Sequence, residues 1–181
     1  MASETWQLDP IHSSIGFSIW HLVISKVHGR FGKWNGTVQI DDALASASNV
    51  QAQIDVASID TNEPQRDAHL RSAGFFDVAR FPEIAFTGKR VERLGEDRYR
   101  VTGELTMRGV TREIALDVEE TGRIKDPWGN NRVGFAARTA IDRKDFGLTF
   151  NQQLDTGGLM LGDKVEIAIE VEALQAAQAA A

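Results

Sequence analysis

Cysteine is absent from the 181-residue chain, and that absence excludes several kinds of site at once. Without cysteine the protein has no disulfides, no thiolate nucleophile and no cysteine-ligated zinc or iron–sulfur centre. The chain also lacks any run approaching the roughly 18 apolar residues that a membrane-spanning helix needs. We therefore expect no stable membrane insertion.

The chain also has no excess of positive charge. Lys and Arg number 20 against 26 Asp and Glu, so the formal net charge is −6 at pH 7. Proteins that bind nucleic acids present a basic surface to the phosphates, and anionic lipids attract polybasic segments. The charge balance therefore argues against nucleic acid as a partner and against a basic lipid-binding patch.

Motifs of catalysis and cofactor binding are also missing. The chain contains no His-x-x-x-His pair, no Gly-x-Ser-x-Gly, no phosphate loop and no Gly-x-Gly-x-x-Gly. Glu119 and Glu120 are adjacent acids, but neighbouring residues of a strand point to opposite faces. We predict no catalytic residue, no metal and no cofactor, and we expect a binding protein rather than an enzyme.

The N-terminal stretch from Met1 to Pro10 carries Glu4 and Asp9 and has no apolar core of a signal peptide. We therefore expect a cytoplasmic protein, or a periplasmic or secreted one if a leader was removed.

Alternation of apolar and polar residues dominates what the sequence does contain. The last such run is the clearest, with Val165, Ile167, Ile169 and Val171 alternating with Glu166, Ala168, Glu170 and Glu172. This period of two is typical of antiparallel strands with one wet face. About eight such runs, separated by turn pairs such as Asn35-Gly36 and Arg108-Gly109, predict an all-β fold, either a closed barrel or a sandwich. The length suits a single domain over 1–181.

Two segments depart from this period. Residues 62–73 are predicted to form a short helix, with Asn62 as its N-cap, Pro64 in its first turn and Gly74 as its stop. The Ala- and Gln-rich tail from Ala173 onward is predicted either to form a short helix or to fray.

Several long motifs resemble the YceI-like, polyisoprenoid-binding family. They run in order along nearly the whole chain and include Trp6-Gln-Leu-Asp-Pro-Ile-His12, Arg66-Asp-Ala-His-Leu-Arg-Ser72, Gly103-Glu-Leu-Thr-Met-Arg-Gly109 and Ile141-Asp-Arg-Lys-Asp-Phe-Gly-Leu148. The resemblance implies a lipocalin-like antiparallel barrel with an elongated apolar cavity for an isoprenoid or another long lipid. It also implies, in many members, a homodimer and a periplasmic location. Arg108, where the family often has His, and Gly74, where it often has Asp, depart from the pattern.

Inward-facing apolar residues are the main functional signal. By pattern alone they indicate a packed core, whereas the resemblance favours a cavity wall. The predicted ligand-binding residues are Phe17, Ile19, His21, Phe31, Ile54, Val56, Leu70, Phe75, Phe76, Phe81, Phe86, Val101, Leu105, Phe135, Phe146, Leu148 and Ile167. Among them, Phe75, Phe76 and Phe81 fall in one connection, where they would form either a movable lid or a fixed plug.

A charged group is carried by the same motifs: Arg66, Asp67, His69, Arg143 and Asp145. One interpretation is recognition of a lipid head group, because the arginine fork suits phosphate or carbonyl oxygens. The other, which we favour, is an ion-pair network that ties the helix to the barrel.

Three functions follow from these observations. The first is binding, carriage or sequestration of a long apolar lipid such as a polyisoprenoid, a quinone tail or a fatty acyl derivative. The second is an enzyme that acts on a lipophilic substrate with His21 or His69 and a carboxylate as acid and base. The third is a solid-barrel interaction module that works through its surface.

Overall fold

A computed structural model describes residues 3–43 and 45–177, which form one antiparallel β-barrel. Its strand segments are β1 (Glu4–Leu8), β2 (Ser14–His21), β3 (Ser25–Phe31), β4 (Trp34–Ile40), β5 (Asn49–Asp55), β6 (Ile59–Asp60), β7 (Glu83–Arg93), β8 (Arg98–Met107), β9 (Val110–Lys125), β10 (Asn131–Asp142) and β11 (Leu161–Gln175). The helix α1 (Pro64–Arg71) lies between β6 and β7. Short 3₁₀ helices cover Pro10–His12, Ala45–Ala47, Val56–Ser58 and Arg143–Phe146.

The eleven segments form a closed barrel of eight strands, which confirms the predicted barrel. Three of these eight strands, here called walls, are interrupted and consist of two segments each: β1 with β2, β3 with β4, and β5 with β6. The 3₁₀ helix Pro10–His12 interrupts the first of these walls, and Val56–Ser58 interrupts the third. The ring closes because β11 pairs with β10 on one edge and with both β2 and β1 on the other. Each wall is antiparallel to the next, as the alternating pattern predicts.

The inward-facing residues differ in how deeply they are buried. Ile59, Val133 and Phe146 are each only 1% exposed and belong to a packed core. On β9 and β11, however, the inward-facing apolar residues remain half-buried: Ile114, Leu116, Val118, Val165, Ile167 and Ile169. A side chain that points into a barrel and still keeps exposed surface borders a void. The interior is therefore packed in part and hollow in part.

The helix is shorter than predicted at both ends. Glu63, not Asn62, is the N-cap, since its carboxylate accepts hydrogen bonds from the backbone N–H groups of Gln65 and Arg66. Asn62 instead adopts a left-handed φ of 63° in the preceding turn. At the other end Ser72, not Gly74, caps the helix.

Two other local predictions are wrong. Residues Ala173 to Gln175 continue β11 because they pair with β1, so the tail does not begin a helix there, and residues 178–181 lie outside the described residues. The pair Asn35-Gly36 lies inside β4 rather than in a turn. A Cβ at Gly36 would lie 2.7 Å from both Gln51 O and Leu8 Cδ1, so this glycine permits a close approach rather than a reversal of the chain.

Among the residues that the structure describes, no helix is long and apolar enough to cross a bilayer.

A charge network on the outer wall joins the first and last strands. The Arg132 guanidinium lies 2.7 Å from Asp126 and 3.1 Å from Asp9, and it also donates to Glu172. Burial alone would raise the pKa of Asp9, but hydrogen bonds from His12, the Ile11 backbone N–H and Arg132 hold that pKa below 3.8. The pKa of Asp126 is likewise lowered, since the hydrogen bond from Arg132 and others outweigh burial.

These shifts predict acid sensitivity that depends on Arg132. A carboxylate whose pKa is lower in the folded state stabilises the fold above its unfolded pKa, and that contribution is lost as the pH falls through the folded value. We therefore expect the urea midpoint of the protein to fall steeply below pH ~4. Arg132→Met should lower the midpoint at pH 7, and the two proteins should converge towards pH 2. Parallel curves at all pH values would contradict the role of the network.

Candidate functional site

A large cavity runs through the barrel from the α1 end to the opposite end. Its volume is about 910 Å³, and its wall includes Met160 and Leu161 at the α1 end and Val171 towards the other. From Leu161 to Val171 is ten residues, or about 34 Å along a strand. At a strand tilt of about 40° this is about 25 Å along the barrel axis. The cavity is therefore elongated along the barrel axis, and we call it the tunnel.

Most residues predicted from the sequence lie on the tunnel wall. They are Phe17, Ile19, His21, Phe31, Ile54, Leu70, Phe75, Phe76, Phe86, Val101, Leu105, Phe135, Leu148 and Ile167. The structure brings them together on one continuous apolar surface. Their contact with a ligand stays a prediction.

Three predicted residues lie away from the tunnel. Val56 and Phe146 are 1% exposed and fall in 3₁₀ helices, where the inward–outward alternation of a strand does not apply. Phe81 follows α1 and packs outside, with the Arg80 guanidinium 5.0 Å from its ring centre. Its ring also covers the β8–β9 turn, where a Cβ on Gly109 would lie 2.7 Å from Phe81 Cε1.

The sequence also contained wall residues that the prediction omitted. On β9 and β11 they are Ile114, Leu116, Val118, Val165, Ile169 and Val171. Their alternation is as regular as that of the residues selected, so the same signal identifies them. Phe150 and Met160 also line the tunnel, but they lie in the β10–β11 connection, where no periodicity points to them.

Aromatic rings cover the α1 end of the tunnel. His69 lies edge-on to Phe75 and Phe150, with ring centres 4.9 and 4.8 Å apart, and Phe75 and Phe150 are themselves 4.9 Å apart. Deeper in, Phe31 contacts Phe17 and Phe76 at 5.6 and 6.3 Å. The triangle of His69, Phe75 and Phe150 joins the α1 segment to the β10–β11 connection across the opening.

Charged residues near α1 mainly fasten the helix to the barrel. The buried Asp67 carboxylate accepts hydrogen bonds from the Thr61 N–H at 2.9 Å and the Thr61 hydroxyl at 2.6 Å. Arg66 donates to the same hydroxyl at 2.7 Å and to the Thr61 carbonyl at 2.8 Å. Arg66, Thr61 and His69 nonetheless line the α1 end of the tunnel, which we call the mouth. A ligand that emerges there would pass these polar groups.

Arg143 organises the β10–β11 connection. Its guanidinium, 3% exposed, donates to the carbonyls of Leu148 at 2.6 Å, Phe150 at 2.8 Å and Gly162 at 2.8 Å. Burial lowers the pKa of Arg143, although the nearby Asp163 opposes that shift. Asp145 is exposed and off the tunnel wall, and its carbonyl accepts a hydrogen bond from Arg112. These bonds hold the wall at Leu148 and Phe150 in place.

An ion-pair bridge spans the opposite end. Arg123 on β9 donates to both oxygens of Asp42, at 2.7 and 3.0 Å, and to Glu120 at 2.6 Å. Hydrogen bonds with Glu120 and then Asp42 raise the pKa of Arg123. All three residues border the tunnel, and Asp42 belongs to the β4–β5 connection. The two ends of the tunnel are thus bordered by different chemistry, aromatic at one and ionic at the other.

Within residues 3–43 and 45–177, one group of side chains could hold a metal ion. It consists of Asp9, His12 and Glu172, whose candidate ligand atoms lie within 4.8 Å of one another. The Arg132 guanidinium already donates to Asp9 and Glu172, so a cation from the chain itself occupies part of this cluster.

Comparison with known proteins gives the family. The YceI-like domain matches residues 6–173, nearly the whole barrel. The chain belongs to the YceI-like family. Protein YceI of Salmonella newport is 40% identical over 164 residues, which cover 91% of this chain and 82% of that protein. A UPF0312 protein of Pectobacterium atrosepticum is 44% identical over 138 residues, covering 76% and 71%.

Solved structures have the same fold as this YceI-like chain. The YCEI protein of Campylobacter jejuni superposes with a TM-score of 0.76 and 33% identity, covering 87% of this chain and 90% of that one. BcnA of Burkholderia cenocepacia superposes with a TM-score of 0.81 and 23% identity, covering 91% and 98%. A polyisoprenoid binding domain from Saccharophagus degradans gives 0.69 and 19%, covering 94% and 98%. The last two likenesses concern the fold alone.

The hollow interior predicts that equal truncations have unequal costs. Ile59→Ala opens a new cavity in packed surroundings and should cost about 2–5 kcal/mol of unfolding free energy. Ile167→Ala enlarges a void that already exists and should cost about 1 kcal/mol, the transfer of partly exposed methyl groups. Urea unfolding of both variants measures the difference. Equal losses would mean that Ile167 is packed as tightly as Ile59.

Proposed function

We propose that this YceI-like protein binds one long apolar lipid inside its tunnel and carries or sequesters it. The observation that carries the proposal is the continuous apolar wall around a void of about 910 Å³. That volume is at the upper end of the range of small-molecule sites. Its elongated form suits a chain better than a compact ligand.

The energetics favour a tail over a head group. Each buried methylene contributes ~0.8 kcal/mol, so a long tail supplies most of the affinity without strong polar contacts. Polar groups at the α1 mouth, such as Arg66 and Thr61, are already engaged with one another. They would therefore orient a head group more than bind it tightly.

The proposed ligand class is a polyisoprenoid, a quinone tail or a fatty acyl derivative. The structural neighbour described as a polyisoprenoid binding domain supports this class through a shared fold. The homodimer remains a prediction, which the mass measurement described below also addresses.

Binding is favoured over catalysis by the surroundings of the two histidines on the tunnel wall. His69 contacts the rings of Phe75 and Phe150, and His21 lies at the end of β2. Within the described residues neither imidazole has a hydrogen-bonded carboxylate, the arrangement that orients a general base. We therefore propose a binding protein rather than an enzyme.

Native mass spectrometry of freshly purified protein tests this proposal directly. We expect an added mass equal to one lipid per chain, and solvent extraction should release a molecule with a long hydrocarbon or isoprenoid tail. Purified protein that carries no lipid and takes up none from a fatty-acid titration would overturn the proposal.

Blocking the tunnel at its middle should abolish uptake without unfolding the barrel. Ile167 faces the tunnel and pairs with Phe17, whereas the next residue, Ala168, faces solvent. We expect Ile167→Trp to weaken binding of a fluorescent fatty acid at least tenfold because the indole occupies the path of the chain. Ala168→Trp, the matched control, should bind like the parent protein. Equal binding by both variants would place the ligand elsewhere.

Affinity should also depend on chain length. A methylene worth ~0.8 kcal/mol changes the dissociation constant about fourfold. Titration with saturated fatty acids of increasing length should show this gain per carbon until the tunnel is full, and then a plateau. A flat dependence from the shortest chain onward would contradict burial of the tail.

A further inference from the structure

The β2–β3 turn, at the α1 end of the barrel, has an unusual backbone for its sequence. Leu22 and Val23 have φ values of 53° and 64°, and the Ile24 N–H donates to the His21 carbonyl at 3.2 Å. Two successive residues at positive φ are what a type I′ turn requires, and Asn-Gly is its usual sequence. A β-branched residue at positive φ is a true outlier.

A neighbouring turn shows the usual solution. The β8–β9 turn, at the same end of the barrel, places Arg108 at φ 50° and Gly109 at φ 72°. Glycine there avoids the steric clash that an L-residue with a Cβ makes in the left-handed region. A sequence with less backbone strain, such as Asn-Gly, would therefore close the same hairpin, yet Leu22 and Val23 occupy these positions.

What the strained turn provides is an exposed apolar tip. Val23 is 74% exposed and Ile24 is 80% exposed, and Trp20 at 47% and Leu159 at 43% are also exposed. The Leu22 N–H donates to the Met160 carbonyl at 2.8 Å, which ties the tip to the segment carrying Leu159. We call Trp20, Leu22, Val23, Ile24 and Leu159 the tip patch.

The tip patch is continuous with the tunnel mouth. His21 precedes the turn and Met160 follows Leu159, and both line the tunnel. Apolar surface thus extends from the outside of the barrel to the interior at one end. A lipid that leaves a bilayer through this mouth would meet water only briefly.

Charges around the tip patch indicate which surface it fits. Lys26 and Lys164 both pair with Glu166, the second at 3.7 Å, and Lys144 pairs with Asp163 at 3.1 Å. The Lys26 amine also lies 5.3 Å from the centre of the Trp20 ring, an aromatic and cationic pair typical of the membrane interface. Because the cations are largely matched by carboxylates, this rim complements zwitterionic head groups rather than anionic ones.

We propose that the tip patch docks the tunnel mouth on a zwitterionic lipid bilayer, where the ligand is exchanged. This inference rests on the proposed lipid binding and adds the partner surface. Docking is reversible and shallow, since it uses a few side chains and no inserted helix.

The experiment measures sedimentation of the full chain with phosphatidylcholine vesicles. Leu22→Asn combined with Val23→Gly gives the turn its preferred sequence and removes the apolar tip. We expect this variant to melt about 2–4 °C higher or more, because strain is relieved, and to bind vesicles about tenfold more weakly. Ile24→Ser, at a position without strain, should weaken vesicle binding in the same direction and serves if the double variant does not fold.

The matched control removes two apolar residues at the opposite end. Ile124 is 69% exposed and Trp128 is 81% exposed, and both lie near the β9–β10 turn. Ile124→Asn with Trp128→Ser should leave vesicle binding unchanged. Equal loss in the control, no loss in the tip variants, or binding that requires phosphatidylglycerol and disappears with salt would each overturn the docking proposal.

A second readout separates this proposal from the proposed function. Titration with a fluorescent fatty acid in the absence of vesicles should give the same affinity for parent and tip variants, while transfer of that fatty acid from vesicles should be slower for the variants. Unchanged transfer overturns docking alone. A parent protein that takes up no fatty acid in solution overturns lipid binding itself.

Discussion

Backbone pairing around a closed ring is the constraint on which the tunnel depends. In most folds side-chain packing holds elements at their distance, but here the half-buried residues of β9 and β11 face space across the barrel. The ladder hydrogen bonds must therefore keep the walls apart. They do so only if no edge is left open, and the short pairing of β1 with both β4 and β11 supplies the closure. The barrel can bend at the interruptions of its strands without losing the ladder hydrogen bonds. Each segment of an interrupted strand pairs with its own neighbouring strands.

The sequence predicted the ring well because strand alternation is a local signal. Each inward position of β8 or β11 is separated from the next by one residue, and a slip by one would turn the whole apolar set outward. The prediction failed where the backbone leaves the strand conformation. Val56 is as apolar as Ile54 and Phe146 as apolar as Leu148, each two residues away, yet their 3₁₀ geometry directs them into packed regions. Asn35-Gly36 has the composition of a turn, but the approach of Leu8 and Gln51 explains its glycine. Such contacts come from distant parts of the chain and cannot be seen locally.

Whether the barrel is hollow was the question that alternation could not answer. A packed interior and a tunnel wall both place apolar residues at every second position, and only the volume they leave between them differs. The family resemblance favoured the hollow form. In the structure, the hollow interior is seen in the partial exposure of the inward-facing residues on β9 and β11. The charged group was predicted with both a structural and a head-group interpretation. Asp67 contacts Thr61 and Arg143 contacts three carbonyls, so these side chains hold the protein together through hydrogen bonds to a hydroxyl and to backbone groups rather than through the predicted ion pairs among the five charged residues.

The two ends of the tunnel differ in which side-chain contacts must be displaced before a lipid chain could pass. At the far end, a lipid would have to part the bidentate pair of Arg123 and Asp42 and leave charges beside hydrocarbon. The two side chains are 34% and 61% exposed, so parting them costs little, but the charges would still lie beside an apolar chain without being replaced by an equivalent contact. At the α1 end, His69 meets Phe75 and Phe150 edge to face, and those two phenyl rings are tilted by 46° to each other, so an apolar chain can replace one ring contact with another. This asymmetry favours exchange at the α1 end, the same end at which the strained turn exposes Val23 and Ile24. Backbone strain in the hairpin and closure by apolar rings thus occur together, at the mouth where the proposed ligand would pass between a bilayer and the tunnel.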